Sequence, residues 1–215
     1  MATATRTRRV NYPTSDGKPM AETDLHRKEM MRLLLMLERW FAVEPLIYVS
    51  GNLLVYYEEG NSRKHVAPDV FMVRGVAKKD RDYFLCWQEG HFPHVIIEIT
   101  SKTTRREDMK KKFVLYRDVF KTREYILFDP YGDYLHPRLQ GYRLVKGKYV
   151  PMAQSAGLLV SSALGLHLRA HEEHLQLINP ATGQALLTPM EEAAQLQAEV
   201  ERLRIRLGQN GDRPR

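Results

Sequence analysis

The sequence predicts an α/β fold with a central mixed sheet, and three observations carry that prediction. An apolar stripe at helical spacing opens the body, formed by Met30, Leu33, Leu34, Leu37 and Phe41. The run His94-Val95-Ile96-Ile97-Glu98-Ile99-Thr100 has the near-continuous aliphatic character of a strand covered on both faces. A second helical stripe follows it, Met109, Phe113, Tyr116 and Phe120, and then a further strand over Glu124–Asp129.

Taken in order, residues 1–20 show no periodicity and read as a flexible basic arm that runs into a turn at Ser15-Asp16-Gly17. The folded body is expected over residues 21–180. Its first helix runs from Thr23, a suitable N-cap, to Val43, with His26 one turn before Met30 on the same stripe. Leu46–Ser50 and Asn52–Tyr57 are strand-like, and Gly51 between them marks a tight turn or bulge. Glu58–Ala67 is a charged loop. Pro68 opens a strand over Asp69–Val73, where a proline at the first residue costs no ladder hydrogen bond.

Thr104-Arg105-Arg106-Glu107 has the spacing of a capping box and starts the second helix. Asp129-Pro130-Tyr131-Gly132 closes the strand before it. Tyr142–Tyr149 forms a hairpin about Lys146-Gly147, and Leu158–Leu168 belongs to a C-terminal β-extension. A second capping box, Thr188-Pro189-Met190-Glu191, starts a short helix over residues 187–208, and residues 209–215 are expected to be a disordered tail. Ala193, Leu196, Val200, Leu203 and Leu207 alternate steps of three and four, a coiled-coil seam of barely two heptads. The seam reads either as a helix docked on its own domain or as the contact of a homodimer.

Composition bounds the function. With 43% apolar residues in 215, the chain can bury a sizeable core. No apolar run approaches the roughly 18 residues of a membrane span, and no secretory signal pattern is evident. Cys86 is the only cysteine, which excludes a disulfide framework and a Cys-based zinc site. A reducing, cytoplasmic location is expected, with no membrane partner. The net charge of +7 is concentrated at the ends. Arg6, Arg8, Arg9 and Lys18 face only Asp16 in the arm, and five arginines face Glu201 and Asp212 in the last fifteen residues. The body is near neutral, which argues against a protein that coats DNA uniformly. Basic ends still raise encounter rates with a polyanion. Within the body, Ser101–Lys112 stands out, with six Lys/Arg against Glu107 and Asp108.

One constellation points to chemistry. Asp69 starts a strand, Glu98 lies inside the buried-type strand, and Lys112 sits on the helix that follows. Neighbouring strands can bring Asp69 and Glu98 together. A glutamate in an aliphatic strand is costly to bury unless a cation or a lysine neutralises it. Two carboxylates suit Mg²⁺, which takes its other ligands from water and phosphate oxygens. A metal and a lysine are the groups that phosphodiester hydrolysis requires.

Pro68-Asp69 followed by Val95-Ile96-Ile97-Glu98-Ile99 resembles the PD-(D/E)XK nucleases, the restriction-endonuclease-like superfamily, and within it the Uma-type restriction endonuclease family. In that family a strand ending in Glu is followed by Ser, a basic stretch, and then Asp, Lys and Tyr spaced by four. Here these are Glu98, Ser101, Arg105-Arg106, Asp108, Lys112 and Tyr116. Asp16-Gly17, Pro19-Met20, Gly51-Asn52, Leu115-Tyr116 and the strand into Asp129-Pro130 match as well, as does a histidine on the first helix, His26. The resemblance spans about residues 12–150. It implies a restriction-endonuclease-like fold and Mg²⁺-dependent, or Mn²⁺-dependent, endonuclease activity on DNA.

The resemblance also implies roles. Asp69, Glu98 and the Ile99 carbonyl would hold the metal, and Lys112 would be the catalytic lysine. The superfamily's usual lysine position, two residues after Glu98, holds Thr100 instead. Lys102 is the rival to Lys112. His26, Lys102, Asp108 and Tyr116 are candidates to line the site, although Tyr116 also reads as core. Arg105 and Arg106, at a helix N-terminus, are candidates for phosphate contacts. Two other readings stand beside this one. The Thr100 departure allows a catalytically inactive nucleic-acid-binding or oligomeric scaffold. His167, His171 and His174 would share one face if they lay on a helix, a zinc-like spacing.

Overall fold

The computed structural model describes residues 10–15, 23–101, 104 and 106–211, with side chains up to residue 206. Residues 1–9 of the basic arm, the motifs at Asp16-Gly17 and Pro19-Met20, Lys102 and Arg105 lie outside the described residues. The stretch of the arm over residues 10–15 is not free: Tyr12 packs against Tyr56, Tyr83 and Trp87, and the Tyr56 hydroxyl donates to the Pro13 carbonyl at 2.6 Å.

Helix α1 (Asp24–Trp40) starts where its cap dictates: the Thr23 hydroxyl accepts the His26 N–H at 3.2 Å. It ends three residues before Val43, because Phe41 turns into the core and leaves Val43 exposed. The first part of the chain then forms β1 (Ile47–Ser50), β2 (Val55–Tyr56), β3 (His65–Val66), β4 (Val70–Arg74) and β5 (Phe84–Leu85). A single helical turn, α2 (Cys86–Glu89), leads into β6 (Val95–Ile99). A π-helical turn over Glu107–Lys112 continues into α3 (Phe113–Asp118), which returns the chain to β7 (Glu124–Phe128). Then come β8 (Leu139–Val145), β9 (Lys148–Pro151), β10 (Gln154–Ser155), β11 (Leu158–Ser161), β12 (Leu166–His171), β13 (His174–Ile178) and α4 (Pro189–Gly211).

The main sheet has the order β1-β4-β6-β7-β8-β9. Only β6 and β7 run parallel, joined through the π-turn and α3, so the sheet is mixed. Every residue of β6 is buried, as its aliphatic run requires. Ile97 and Ile99 face α1 and the second sheet, β10-β11-β12-β13. Ile96 faces an aromatic layer of Phe71, Tyr116, Phe120 and Tyr125 beneath α3. Truncating Ile97 to alanine would cost about 2–5 kcal/mol.

Several elements differ from the sequence reading. Asn52–Tyr57 is not one strand: Asn52 has a positive φ, and only Val55–Tyr56 pairs, in a small third sheet ordered β3-β2-β5. Gly51 is required by close approach, since a Cβ there would lie 2.0 Å from the Asp69 carbonyl oxygen. The strand after Pro68 begins at Val70, which leaves Asp69 at its mouth. Leu158–Leu168 divides into β11 and the start of β12, with Gly165 at positive φ between them. The hairpin about Lys146-Gly147 forms as expected, both residues at positive φ.

The two capping boxes fare differently. At Thr188 both reciprocal bonds form: its N–H donates to Glu191 Oε2 at 2.7 Å, and the Glu191 N–H donates to Thr188 Oγ1 at 3.2 Å. At Thr104 the hydroxyl is drawn back to the Ser101 N–H, at 3.0 Å, and the helix opens as a π-turn. Met109 is turned outward there, so the buried stripe begins only after it. Helix α4 continues to Gly211 rather than ending at residue 208. Its start is tied to α1 by Arg32–Glu191 and Arg39–Glu192 ion pairs, while Leu196, Val200 and Leu203 stay exposed. Among the described residues, no helix is long and apolar enough to cross a membrane.

Candidate active site

The antiparallel register of β4 on β6 pairs Val70 with Ile97, so Asp69 falls opposite Glu98 at the end of the sheet. The two are bonded crosswise. The Ile99 N–H donates to Asp69 Oδ2 at 2.7 Å, and the Asp69 N–H lies 3.4 Å from Glu98 Oε2. Glu98 is 1% exposed and points to the α3 face. There Lys112 Nζ donates to Oε2 at 2.9 Å and the Tyr116 hydroxyl donates to Oε1 at 2.8 Å. Lys112 Nζ also lies 3.2 Å from Asp108 Oδ1, one helical step back. From α1, His26 Nε2 approaches Asp69 Oδ1 at 3.3 Å.

The π-turn brings Asp108 and Lys112 onto the sheet together. Wide helical turns of this kind are frequent at functional sites. The Tyr125 hydroxyl from β7 donates to the Asp108 carbonyl at 3.1 Å and holds the turn down. Three carboxylates therefore crowd around one ammonium. Burial, together with the neighbouring Asp69 and Asp108, pushes the Glu98 carboxyl well above its usual range, against the opposing pull of Lys112. Burial also raises Asp108. Lys112 is raised as well, because Glu98, Asp108 and Asp69 outweigh its own desolvation. A shift in that direction keeps it charged at neutral pH. The Tyr116 hydroxyl is pushed up by burial and by Glu98, so it remains a donor.

The sequence-predicted residues His26, Asp69, Glu98, Ile99, Asp108, Lys112 and Tyr116 thus converge. Arg106 is exposed at the entry to the π-turn. Lys102, the rival lysine, lies outside the described residues. The three histidines do not converge. They lie on the β12–β13 hairpin, with His171 opposite His174, and His174 Nδ1 bonds Glu29 at 2.7 Å. Strand geometry spreads residues that a helix would have stacked.

The donor set suits a divalent cation. Asp69 and Glu98 flank Ile99, and the site carries more negative than positive charge. Among the described residues no group of three His, Cys, Asp or Glu side chains is placed to enclose a metal. Mg²⁺ does not need such a cage, since one or two carboxylates with water and phosphate suffice.

Sequence reading missed the frame of the site. Asp129, fully buried, accepts backbone N–H bonds from Tyr131, Gly132, Tyr134 and Leu135 at 2.9–3.2 Å. That fixes the 129–135 loop, whose Tyr134 hydroxyl donates to the Thr100 carbonyl. The only sequence signal was Asp-Pro-Tyr-Gly, which marks a turn but not what the turn supports.

A family model described as "Uma2: Putative restriction endonuclease" matches residues 3–172. Among solved structures, the chain is similar to the crystal structure of a putative nuclease belonging to DUF820 from Anabaena variabilis. The TM-score is 0.52 at 16% identity, covering 73% of this chain and 83% of that one. At that identity the likeness shows a shared fold. No curated protein matches the chain.

Proposed function

This chain belongs to the Uma2 restriction endonuclease family, and on that premise we propose that it is a Mg²⁺-dependent endonuclease that hydrolyses DNA phosphodiester bonds. The observation that carries the reading is Glu98, buried in a central strand beside Asp69 and bonded to Lys112 at 2.9 Å. A structural ion pair would need only one carboxylate. Asp69, Glu98 and the Ile99 carbonyl would hold Mg²⁺, with Mn²⁺ as a substitute. When bound, the ion supplies polarisation of the phosphoryl group.

The chain's own residues do the rest. The Ile99 N–H and His26 fix the Asp69 carboxylate from two sides. Tyr116 fixes Glu98. Lys112, permanently charged, offsets negative charge on the phosphoryl oxygens as it builds up. Arg106, exposed at the mouth, contacts backbone phosphate, which positions the duplex without reading sequence. Arg105 beside it in sequence would share that role.

The exposed stripe of α4 supports a homodimer. Val200 at an a position with Leu196 and Leu203 at d positions is the pattern that favours two parallel strands. In that register Glu199 would face Arg204 of a second copy. Light scattering is expected to show a dimer that Leu203→Glu converts to monomer; a wild-type monomer at all concentrations would end this part of the reading.

The test of activity is cleavage of supercoiled, linear and branched DNA with Mg²⁺ or Mn²⁺, with wild type beside Asp69→Ala and Glu98→Ala. Cutting by wild type that both variants lose is the expected result. Salt-dependent DNA binding without any cutting would instead establish the inactive scaffold. Equal cutting by all three proteins would remove the site from consideration.

A further inference from the structure

Among the described residues, Tyr131 is the one Phe, Tyr or Trp ring that lies exposed, at 51%. Its backbone is pinned. It follows the buried Pro130, whose ring fixes φ, and precedes Gly132, at a φ of 70°. The Tyr131 and Gly132 N–H groups both donate to Asp129 Oδ1, at 3.2 and 2.9 Å. A ring left in water on a tied loop holds apolar area that the fold does not use. A tyrosine with two rotatable bonds on a rigid support loses little entropy when a flat ligand covers it.

The position says which ligand. The loop that carries Tyr131 leaves the carboxyl end of β7, and β6 ends beside it in register, Ile99 opposite Phe128. Ligands of α/β sheets collect at such ends. The Tyr134 hydroxyl donates to the carbonyl of Thr100, just past Glu98. Tyr134 and Leu135 pack into the aromatic layer that holds Tyr116, and Tyr116 bonds Glu98. The loop therefore lies on the face of the sheet to which Glu98 points. The segment that leaves β6 at the same end is the π-turn, where Arg106, Lys110 and Lys111 are exposed, with Glu107 among them. Those cations suit backbone phosphates. The 129–135 loop holds no Lys or Arg, and its Asp133 is exposed, so it repels phosphate. An uncharged base face is what its ring fits.

We propose that Tyr131 is a stacking platform for an unpaired base beside the phosphate to be cut, so that the protein takes DNA with single-stranded nucleotides in preference to continuous duplex. In a continuous duplex every internal base face is covered by its neighbours. Only a gap, an overhang, a branch or a flipped nucleotide offers a base to the ring. The choice of DNA rests on the nuclease reading; the stacking rests on the loop alone. Tyr131 is a specificity residue and takes no part in bond breaking.

The test uses the full chain as wild type, Tyr131→Ala and Tyr131→Phe, in EDTA so that nothing is cut. Two probes are compared: a continuous duplex, and the same duplex with a short central gap whose unpaired stretch carries a fluorescent base analogue that dims when stacked. The ends are identical, and the gapped probe has fewer phosphates, so charge alone favours the continuous one. Wild type is expected to bind the gapped probe more tightly and to dim the analogue. Tyr131→Ala should lose roughly tenfold on the gapped probe, keep its affinity for the continuous one and leave the analogue bright. Tyr131→Phe should behave as wild type. All three should melt alike, since Tyr131 is exposed and its bond to Asp129 is made by the backbone.

Equal binding of both probes by wild type overturns the proposal, and so does a Tyr131→Ala protein that still prefers and dims the gapped probe. A Tyr131→Phe protein as weak as Tyr131→Ala also overturns it, since the hydroxyl rather than the ring would then make the contact. Cleavage with Mg²⁺, scored separately, keeps this proposal apart from the nuclease reading. Stacking through Tyr131 in a protein that cuts nothing keeps the platform and counts against the nuclease. Cutting of continuous duplex that needs Asp69 and ignores Tyr131, with no preference for the gap, keeps the nuclease and removes the platform.

Discussion

Two sets of buried carboxylates lie in this molecule, and they are built on opposite rules. Glu29, Glu124 and Asp129 each have more donors than charges to answer. Glu29 takes the Leu175 N–H and His174, both at 2.7 Å. Glu124 takes Arg143, Ser161 and Ser162, and Asp129 takes four backbone N–H groups. Glu29 and Glu124 pin the second sheet to α1 and to the main sheet, and Asp129 fixes a loop. In the other set, Glu98 and Asp108 share Lys112, and Asp69 lies close by with His26 beside it. Burying a carboxylate is tolerable when neutral donors surround it. Crowding carboxylates around too little positive charge works against folding, so such a cluster persists where it serves a ligand. The first set is saturated with donors, as architecture requires; the second is left in deficit, as the proposed metal site would require.

The sharpest way to break that contrast is to change one member of each set. Asp69→Asn should lower Mg²⁺-dependent cleavage by about 10²–10³, while its melting temperature stays at or above wild type. Plasmid nicking and a melt on the same sample would check both halves. Glu124→Ala should do the reverse. Losing the partner of Arg143, Ser161 and Ser162 is expected to cost about 3 kcal/mol, or about 6–12 °C in a chain of this size, with kcat/KM of the folded fraction unchanged. An Asp69→Asn protein that melts far below wild type would show that the catalytic set is architectural after all.

A smaller effect sharpens the role of Tyr116. Its hydroxyl donates to Glu98 Oε1 at 2.8 Å, and a bond to a charged group is worth about 1.5–3 kcal/mol. Tyr116→Phe should therefore slow cleavage by roughly tenfold or somewhat more, seen in kcat rather than KM. An unchanged kcat would make Tyr116 a core residue only.

The smallest expected effect is the pH dependence of stability. Glu98 has a folded-state pKa raised above its ordinary 4.5 by burial and by Asp69 and Asp108. The folded protein then holds a proton that the unfolded chain gives up. That contribution to stability is complete below about pH 4.5 and is lost as pH rises through the raised value. Metal-free wild type should lose melting temperature across that window relative to Glu98→Gln. Mg²⁺ should reverse the trend, because the ion needs the ionised carboxylate. Parallel pH profiles for the two proteins without metal would contradict this.

Much of the fold was legible in the sequence because it depends on local periodicity. The β6 run announced a doubly covered strand, and the helical stripe after Thr23 announced α1. Asp69, Glu98 and Lys112 were legible as a set from strand and helix alternation, while Asp108 and Tyr116 joined it only through the resemblance to the family. The Thr188 capping box could be read because all of its partners lie within four residues.

Tertiary structure decided the rest. Thr104 carries the same capping signal as Thr188, yet its hydroxyl turns to Ser101 and a π-turn forms, held by Tyr125 from a distant strand. The histidine triplet lay at helical spacing, and pairing across the β12–β13 hairpin dispersed it. Nothing local marked Asp129 as the holder of a loop. Spacing along the chain determines which face a side chain takes. Which donors and charges meet it there depends on segments far away in sequence, and only the assembled sheet brings them together.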